Sequence, residues 1–342
     1  MSRKERGGAR DSVCNSVLAL DLGKTGCRAA LFEGGERFCE SVIPADGTVS
    51  DPGGVEAALE TLRRAAGALE DRPARVSTVC AGLAGVFERW EAAPEIANGL
   101  RESLGAEEVI VTSDVFTSCC GALGGVRPGA VIAAGTGAVA LAVGNDGGYA
   151  RADGWGYLLG DEGGGYAVGR AGLASALRAH DGRGGSKELL RRARERFGAV
   201  EGIAGRVHGA ENPARVVASF AAEVAAAARE GDAEACRIWS DAGEALAKTL
   251  AAAASRAPGC EAASWTGGLF SVGDLLREPF ERRVAELLPG IRLAPPAGDA
   301  LYGAALLAEA PDLAPAELVH REGKAAEGNR VEARASVRGD SQ

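Results

Sequence analysis

Short apolar runs that end in glycine turns follow one another in the same order in both halves of this chain of 342 residues. The first series starts at Val17, and the second starts at Gly129. Apolar runs of this length, bounded by glycine, indicate buried strands, and several of the segments between them have helical spacing. Two copies of one strand and helix order predict a duplicated α/β fold with a cleft between the halves.

The order of elements also predicts the domain boundaries. An N-terminal domain is predicted over residues 13–113, where three strands are followed by a helix, a strand, a helix and a fifth strand. The second copy, enlarged by several helices, predicts a C-terminal domain over residues 114–310. Residues 1–12 are polar, and residues 311–342 combine small and charged residues with little periodicity, so both segments are predicted to be disordered tails.

The composition argues against several classes of partner. A net charge of −9 disfavours a nucleic-acid binder, which normally presents a basic face. No apolar run approaches the ~20 residues that span a bilayer, so no membrane partner is expected. The N-terminus lacks the apolar core of a secretory signal, and the eight cysteines contain no C-x-x-C pair. These observations predict a cytoplasmic protein and leave open whether it forms a homodimer.

The most unusual segment is GWGYLLGDEGGGYAVGR, from Gly154 to Arg170. It places two adjacent carboxylates, Asp161 and Glu162, in a glycine-rich turn that leads into a helix. Glycine permits positive φ and lets the backbone approach a ligand closely. A helix that begins there supplies N–H groups for a polar or anionic group. The segment therefore predicts the floor of a ligand site.

Glycine turns also follow the first strand of each half. Backbone N–H groups and threonine hydroxyls in tight turns form concave anion sites, so both turns are candidates for binding nucleotide phosphates. Neither turn is a P-loop, because the chain contains no G-x-x-x-x-G-K-[ST] motif. The candidate residues are Gly23, Lys24 and Thr25 in the first turn and Gly135, Thr136 and Gly137 in the second.

Two aspartates stand at the ends of predicted buried strands. Asp21 ends the first strand, where an unpaired carboxylate is unfavourable, so it either caps the following turn or faces Mg²⁺ and its water shell. Asp114 follows the apolar strand in VIVTSDVFTS. It is either the N-cap of the next helix or a general base at the carboxyl end of a strand, where α/β proteins bind ligands.

Six segments in order resemble one known family: DLGKTGCRAAL, CAGLAG, VTSDVFTS, AAGTGAVAL, GWGYLLGDEGGGYAVGR and WTGGLF. They resemble the N-acetylglucosamine kinase branch of the BadF/BadG/BcrA/BcrD ATPase family, within the actin-like, hexokinase-like and Hsp70-like ATPase superfamily. The resemblance covers residues 17–308. It implies two ribonuclease-H-like domains that close on Mg·ATP and a sugar, and ATP-dependent phosphorylation of the 6-hydroxyl of N-acetylglucosamine or, second, of glucosamine.

The resemblance also implies roles for individual residues. Asp21 would hold magnesium through water, and Asp114 would be the base that takes a proton from the sugar 6-hydroxyl. Asp161 would bind sugar hydroxyls with help from the backbone of Gly160, and Gly85 would shape the sugar side. The two glycine turns would bind the phosphates, and adenosine would lie against a further pair, Gly267 and Gly268.

The chain departs from the family pattern at several positions. The usual first turn reads D-G-G-G-T-K-T, whereas Leu22, Lys24 and Gly26 stand here, and Lys24 points either to a phosphate or to solvent. Ala138 replaces a usual serine. Relatives often place Asn where this chain has Asp51, and an extra carboxylate there would favour a sugar with an ammonium group at C2. The alternative for Asp51 is a surface turn, which Asp-Pro favours.

Two other functions remain open from the sequence. One is an ATP-driven activator of a dehydratase or reductase, which carries a shared iron–sulfur cluster held by cysteines at a dimer interface. The adjacent Cys119 and Cys120 are predicted to lie on a helix, where their side chains diverge by about 100° and pack in the core. The other is a sugar sensor that has lost catalysis.

Overall fold

The structure is a computed structural model that describes residues 16–45, 47–70, 72–73 and 75–323. It contains two compact units. The first comprises the described residues up to Thr117, together with Ala304–Pro311 and residues 316–323. The second comprises Ser118–Gly303 and Asp312–Pro315. The division lies close to the predicted boundary at residue 114, but the first unit also takes in residues near the C-terminus.

The secondary structure alternates strands and helices in the predicted order. The strands are β1 (Ser16–Gly23), β2 (Gly26–Glu33), β3 (Glu36–Pro44), β4 (Val76–Leu83), β5 (Ala106–Ser113), β6 (Gly129–Ala134), β7 (Ala138–Val143), β8 (Tyr149–Asp153), β9 (Ala262–Thr266), β10 (Arg292–Leu293) and β11 (Val319–Gly323). The helices are α1 (Gly54–Gly67), α2 (Ala93–Leu104), α3 (Asp114–Leu123), α4 (Gly165–His180), α5 (Lys187–Phe197), α6 (Ile203–His208), α7 (Pro213–Ser219), α8 (Ala221–Arg229), α9 (Ala233–Ala254), α10 (Asp274–Leu287) and α11 (Ala300–Glu309).

The first unit is built on a six-stranded sheet in the order β11-β5-β4-β1-β2-β3. β1, β2 and β3 form an antiparallel meander, and β4 and β5 continue the sheet parallel to β1. α1 covers the sheet with the predicted apolar face, in which Leu59, Leu62 and Ala66 are buried. α2 begins with a proline in its first turn and ends at Gly105 in the left-handed conformation, as helix ends commonly do.

The second unit repeats this plan with a five-stranded sheet in the order β10-β9-β6-β7-β8. Here β6, β7 and β8 form the meander, and β9 and β10 are parallel to β6. The predicted helical insertion is present as α4–α9 between β8 and β9. α9 packs against the meander through an apolar stripe that includes Trp239, Leu246 and Leu250. The prediction of a duplicated α/β fold is therefore confirmed.

The predicted disordered tail is wrong for residues 311–323. Two short 3₁₀ turns lead into β11, which pairs antiparallel with β5 along the edge of the first sheet. The Thr112 hydroxyl donates to the Leu318 carbonyl at 2.5 Å, and Arg321 forms an ion pair with Glu108 at 2.7 Å. The sequence of β11 is polar because one edge strand needs few apolar residues, so periodicity did not reveal it. The predicted tail at 1–12 and residues 324–342 lie outside the described residues.

Among the helices of the described residues, none has both the length and the apolar character needed to cross a bilayer.

Candidate functional site

The carboxyl ends of the parallel strands bring two of the predicted site residues to one edge of the first sheet. Asp21 of β1 is paired in register with Gly82 of β4, which is paired with Thr112 of β5. Asp114 follows two residues later, at the start of α3. A Cβ at Gly82 would overlap the side chain of Thr117, so the missing side chain lets α3 lie close to the strand ends.

Ser113, rather than Asp114, caps helix α3. The Ser113 hydroxyl accepts the Phe116 N–H at 3.1 Å, which is the bond that an N-cap side chain makes to the third helical residue. Asp114 is the first helical residue, and its carboxylate accepts the Val115 N–H at 2.9 Å. The N-cap interpretation of Asp114 is therefore wrong. Ser113 already caps the helix, so capping does not explain why an acidic residue stands at position 114.

The pKa of the Asp114 carboxyl is raised to about 7. Desolvation by the surrounding protein is the largest cause, and the negative charges of Asp21 and Glu88 add to it. The Val115 N–H and the positive charge of Lys24 act in the opposite direction. A carboxyl that titrates near neutral pH at the carboxyl end of a strand is suited to accept a proton in catalysis.

Asp21 forms an ion pair that the sequence analysis missed. Its Oδ2 accepts from both Nη2 of Arg28, at 2.7 Å, and Nε of Arg28, at 3.1 Å. Only 15% of the Asp21 side chain and 32% of the Arg28 side chain are exposed. The two residues face each other because they are paired in the register of β1 and β2. Asp21 and Arg28 lie equally far from a two-residue turn, and this spacing in the sequence is what could have identified Arg28 as the partner.

The first glycine turn is an open two-residue hairpin loop. Gly23 pairs with Gly26, and Lys24 and Thr25 between them are exposed. Neither Lys24 nor Thr25 has a positive φ, so the turn is not one of the left-handed types that usually close such hairpins. A Cβ at Gly23 would make only an ordinary contact, at 3.7 Å from the Gly26 carbonyl. The turn presents charge and a hydroxyl to its surroundings.

The loop before α1 contains Asp51, and its carboxylate is occupied within the loop. Oδ2 of Asp51 accepts the Thr48 N–H at 2.6 Å and the Thr48 hydroxyl at 3.1 Å. Asp51 thus lies in an exposed turn, as the alternative predicted, and its role toward a sugar stays a prediction. Gly85 has φ +82°, and a Cβ there would lie 2.8 Å from Thr48 and Ser50. Gly85 lets the turn after β4 pack against this loop.

In the second unit, the other glycine turn is joined to the start of α4. Gly135, Thr136 and Gly137 form a three-residue loop between β6 and β7. The Gly165 N–H donates to the Gly135 carbonyl at 2.8 Å, and the Tyr166 N–H donates to the Thr136 carbonyl at 2.9 Å. The expectation that the first N–H groups of this helix serve a ligand is wrong for these two, because the glycine turn already accepts them.

Asp161 lies against this second turn. Asp161 is only 5% exposed. A Cβ at Gly137 would overlap the Asp161 carboxylate. Oδ1 of Asp161 accepts the Gly156 N–H at 3.3 Å. Gly137 is therefore required for the position of Asp161, and the structure brings these two predicted site residues together.

The Asp161 backbone is held by Asp153, a residue that the sequence analysis did not single out. The Asp153 carboxylate accepts the N–H groups of Asp161 at 2.7 Å and Glu162 at 2.9 Å. Gly160 supplies the space for it, because a Cβ at Gly160 would overlap Oδ1 of Asp153. The Gly160 N–H donates to the Gly156 carbonyl at 2.8 Å. Sequence alone gave no signal for Asp153, since its partners are backbone groups eight and nine residues away.

Gly267 directly follows β9 and lies next to the second turn. Its φ is +100°, and a Cβ there would overlap the carbonyl of Ala134, at the end of β6. Gly268 starts a 3₁₀ turn, and a Cβ there would meet nothing within 4 Å. Packing against Ala134 thus requires glycine at position 267, whereas there is open space beside Gly268.

The prediction that Cys119 and Cys120 pack in the core is confirmed. Both are on α3 and are at most 2% exposed. Burial raises the pKa of the Cys119 thiol well above its ordinary value. Among the described residues, no group of three or more histidine, cysteine or acidic side chains is arranged to hold a metal ion.

Two of the solved structures with a similar fold are named as sugar kinases. The chain matches a protein provisionally named N-acetylglucosamine kinase from Chromobacterium violaceum with a TM-score of 0.67 and 28% identity, over 87% of this chain and 100% of that one. A ROK-family glucokinase from Streptomyces griseus, in complex with glucose and AMPPNP, has a TM-score of 0.56 at 18% identity, over 86% of this chain and 99% of that one. The architecture is therefore that of the actin-like sugar-kinase ATPases.

Sequence comparison identifies the family. Residues 18–308 match the model of the BadF/BadG/BcrA/BcrD ATPase family, and the chain belongs to this family. A segment of 129 residues is 32% identical to the N-acetylmuramic acid/N-acetylglucosamine kinase of Clostridium acetobutylicum, which is 38% of this chain and 40% of that protein. A segment of 113 residues is 31% identical to the N-acetyl-D-glucosamine kinase of Dictyostelium discoideum, which is 33% of this chain and 35% of that protein. The chain thus matches less than half the length of these two relatives.

Proposed function

We propose that this protein is an ATP-dependent sugar kinase that phosphorylates the 6-hydroxyl of an amino sugar, with N-acetylglucosamine as the first candidate substrate and glucosamine as the second. The observation that carries the proposal is Asp114, a carboxyl with a pKa raised to about 7 at the end of a parallel strand, next to a serine that already caps the helix. Family membership and similarity to N-acetylglucosamine kinases support the choice of substrate.

Asp114 would act as the general base. A primary alcohol is a very weak acid, so a positioned carboxylate helps by taking its proton as the bond to phosphorus forms. The oxygen of the 6-hydroxyl forms a bond to the γ-phosphorus, the bond from that phosphorus to the β,γ-bridging oxygen breaks, and ADP leaves. With a pKa near 7, Asp114 is largely ionised at slightly alkaline pH and still basic enough to accept the proton.

Phosphoryl transfer otherwise depends on alignment and on neutralisation of the phosphate charge. In this proposal the two glycine turns bind the phosphates, with Lys24 as the charged side chain of the first turn and Thr136 as the hydroxyl of the second. Gly23, Thr25, Gly135 and Gly137 contribute backbone, and the adenosine lies against Gly267 and Gly268. The open space beside Gly268 fits this assignment.

Asp21 would hold Mg²⁺ through its water shell. A carboxylate oxygen is the type of ligand that Mg²⁺ prefers, and one carboxylate suffices when phosphates and waters complete the shell. Bound Mg²⁺ would neutralise charge on the β- and γ-phosphates. Arg28 keeps the Asp21 carboxylate in a fixed place through its two hydrogen bonds. Magnesium use and a cytoplasmic location are parts of the proposal.

Asp161 would bind sugar hydroxyls, since an ionised carboxylate accepts hydrogen bonds at both oxygens. Gly160 and Gly85 would shape the sugar side through their backbone. Asp51 would distinguish an ammonium from an acetamido group at C2. Its Oδ2 is already bonded to Thr48, which supports the order of preference with N-acetylglucosamine before glucosamine.

The test is ADP release from Mg·ATP with N-acetylglucosamine, glucosamine, glucose, N-acetylmannosamine and N-acetylmuramic acid, for the wild type and Asp114→Asn. Sugar-dependent turnover that Asp114→Asn abolishes, with nucleotide binding retained, is the expected result. An Asp146→Asn variant is the matched control, because Asp146 accepts a backbone N–H in the β7–β8 turn and has no proposed role in catalysis. Turnover without any sugar requirement, or unchanged activity of Asp114→Asn, would contradict the proposal.

A further inference from the structure

The carboxylate of Asp153 binds two consecutive backbone N–H groups, those of Asp161 and Glu162, at 2.7 and 2.9 Å. These two bonds close a loop that runs from residue 153 to residue 161 and is called the 153–161 loop. Both ends of this loop have unusual backbone. Asp153 has φ 61° and Asp161 has φ 60°, and they are the two residues other than glycine with positive φ in the described part of the chain.

The start of the 153–161 loop is fixed from β8. Nη2 of Arg151 donates to the Gly154 carbonyl at 2.6 Å, and its Nε donates to the Asp153 carbonyl at 3.3 Å. The same guanidinium lies over the ring of Trp155, 5.7 Å from the ring centroid. The Arg151 side chain thus fixes the main chain at Asp153, and the Asp153 carboxylate reaches the far end of the loop from this fixed position.

The far end of the loop is fixed against the second glycine turn. The Asp161 carboxylate lies so close to Gly137 that a Cβ there would overlap it, and it accepts the Gly156 N–H. Because the side chain is nearly buried, its direction follows from the backbone conformation of Asp161. That conformation is the left-handed one, which is uncommon for residues other than glycine and costs free energy that local hydrogen bonds offset.

We propose that Asp153 is the positioning residue for Asp161: its carboxylate imposes the backbone conformation that orients the Asp161 carboxylate for sugar hydroxyls. This inference rests on the proposed function for the identity of the ligand, whereas the ordering of Asp161 by Asp153 is independent of it. Asp153 contacts no reacting group and acts through the Asp161 and Glu162 N–H groups.

The backbone conformation at position 153 does not by itself explain why the residue there is an aspartate. Glycine adopts a φ of 61° with less strain than any L-residue, so the backbone alone would favour glycine at this position. The carboxylate explains the choice, because hydrogen bonds from N–H groups to an ionised acceptor are stronger than neutral ones. The overlap that any side chain at Gly160 would make with Oδ1 of Asp153 shows that space is reserved for this carboxylate.

Asp153→Gly and Asp153→Asn test the proposal in the full-length chain. Asp153→Gly removes the carboxylate and relieves the backbone, so it separates the positioning role from a simple failure to fold. Asp153→Asn keeps the shape but turns an amide donor toward one of the two N–H groups. Asp146→Asn, in the turn at the other end of β8, is the matched control for loss of a carboxylate that binds a backbone N–H.

Two readouts are measured on each variant: hydrogen exchange at the Asp161 and Glu162 amides, and affinities for N-acetylglucosamine and for ADP by calorimetry. We expect exchange at the two amides to accelerate and affinity for N-acetylglucosamine to fall, each about ten- to hundredfold, as for the loss of a hydrogen bond to a charged group. Affinity for ADP stays within about twofold, and Asp146→Asn changes neither quantity.

Unchanged amide exchange in Asp153→Gly overturns the inference, and so does faster exchange with unchanged sugar affinity. Equal losses of sugar and ADP affinity overturn it as well, because they indicate a general structural role. A wild type that binds none of the sugars contradicts the proposed function instead, and amide exchange then still decides whether Asp153 orders Asp161.

Discussion

The two glycine turns occupy the same topological position, between the first and second strands of each sheet, yet they are built differently. The first is a two-residue loop whose Lys24 and Thr25 are exposed. The second is a three-residue loop whose carbonyls accept N–H groups from α4 and whose Gly137 lies against a buried carboxylate. One turn is held mainly by strand pairing, whereas the other is fixed by a helix and a loop.

The surroundings of the two turns differ in the same way: charged side chains lie near the first turn, and hydrogen-bonded backbone surrounds the second. In the first unit, the charges of Asp21 and Lys24 act on the carboxyl of Asp114 at the strand ends, which is the basis for assigning proton transfer there. In the second unit, the backbone of the glycine turn and Asp161 are fixed by hydrogen bonds, which is the basis for assigning binding there. The following predictions test that division.

The largest expected effect is on turnover. Asp114→Asn lowers kcat about 10²–10⁴-fold with little change in the KM for sugar, because it removes the proposed general base. Asp161→Asn raises the KM for sugar about ten- to hundredfold with a smaller effect on kcat, because it removes hydrogen bonds to a charged acceptor. Steady-state kinetics with N-acetylglucosamine measure both. The reverse pattern, with kcat controlled by Asp161, would break the division of roles.

The second prediction concerns the stability of the turns. Gly137→Ala places a methyl group on the Asp161 carboxylate and lowers the free energy of unfolding by about 1–3 kcal/mol, as overpacking does. Gly23→Ala, at the start of the first turn, changes it by at most about 0.5 kcal/mol, since its Cβ has room. Urea unfolding of both variants measures the difference. Equal costs would show that the two turns are equally constrained.

The third prediction is a pH dependence. Since Asp114 has a pKa of about 7 and must be ionised to accept a proton, kcat/KM falls as the pH decreases through 7. Asp21→Asn removes a negative charge and moves the midpoint to lower pH, whereas Lys24→Met removes a positive charge and moves it to higher pH.

The measurement is the pH profile of residual kcat/KM for each variant, with Gly23→Ala as a control for disturbance of the turn. Shifts of the same sign in Asp21→Asn and Lys24→Met would show that Asp114 does not determine the midpoint.

The smallest expected effect belongs to the ion pair across the first hairpin. Arg28→Met leaves the partly buried Asp21 carboxylate without these two hydrogen bonds and lowers the free energy of unfolding by about 1 kcal/mol. Urea unfolding measures it, and Arg37→Met is the matched control, because Arg37 forms an exposed ion pair with Glu40 in β3 of the same sheet. An equal or larger cost for Arg37→Met would contradict the importance of the Asp21 pair.

Sequence was sufficient for the features that repeat or alternate. The order of strands and helices along the chain before β11, the apolar face of α1 and the position of the glycine turns at strand ends follow from periodicity and turn chemistry. The roles of residues whose partners are backbone groups, or are distant in sequence, could not be predicted from the sequence. Asp153 binds two main-chain N–H groups, and the assignment of the α3 cap to Ser113 depended on a one-residue difference in where the helix begins.

Strand β11 has a consequence for how the chain folds during synthesis. It pairs with β5, so that His320 lies opposite Val111, and the two partners are separated by most of the polypeptide. The first sheet therefore lacks an outer strand until the segment that follows the second unit has been made, although its other five strands precede that unit in the sequence. Because closing so long a loop is slow, the second unit, which is almost continuous in sequence, has time to fold before the first sheet is complete.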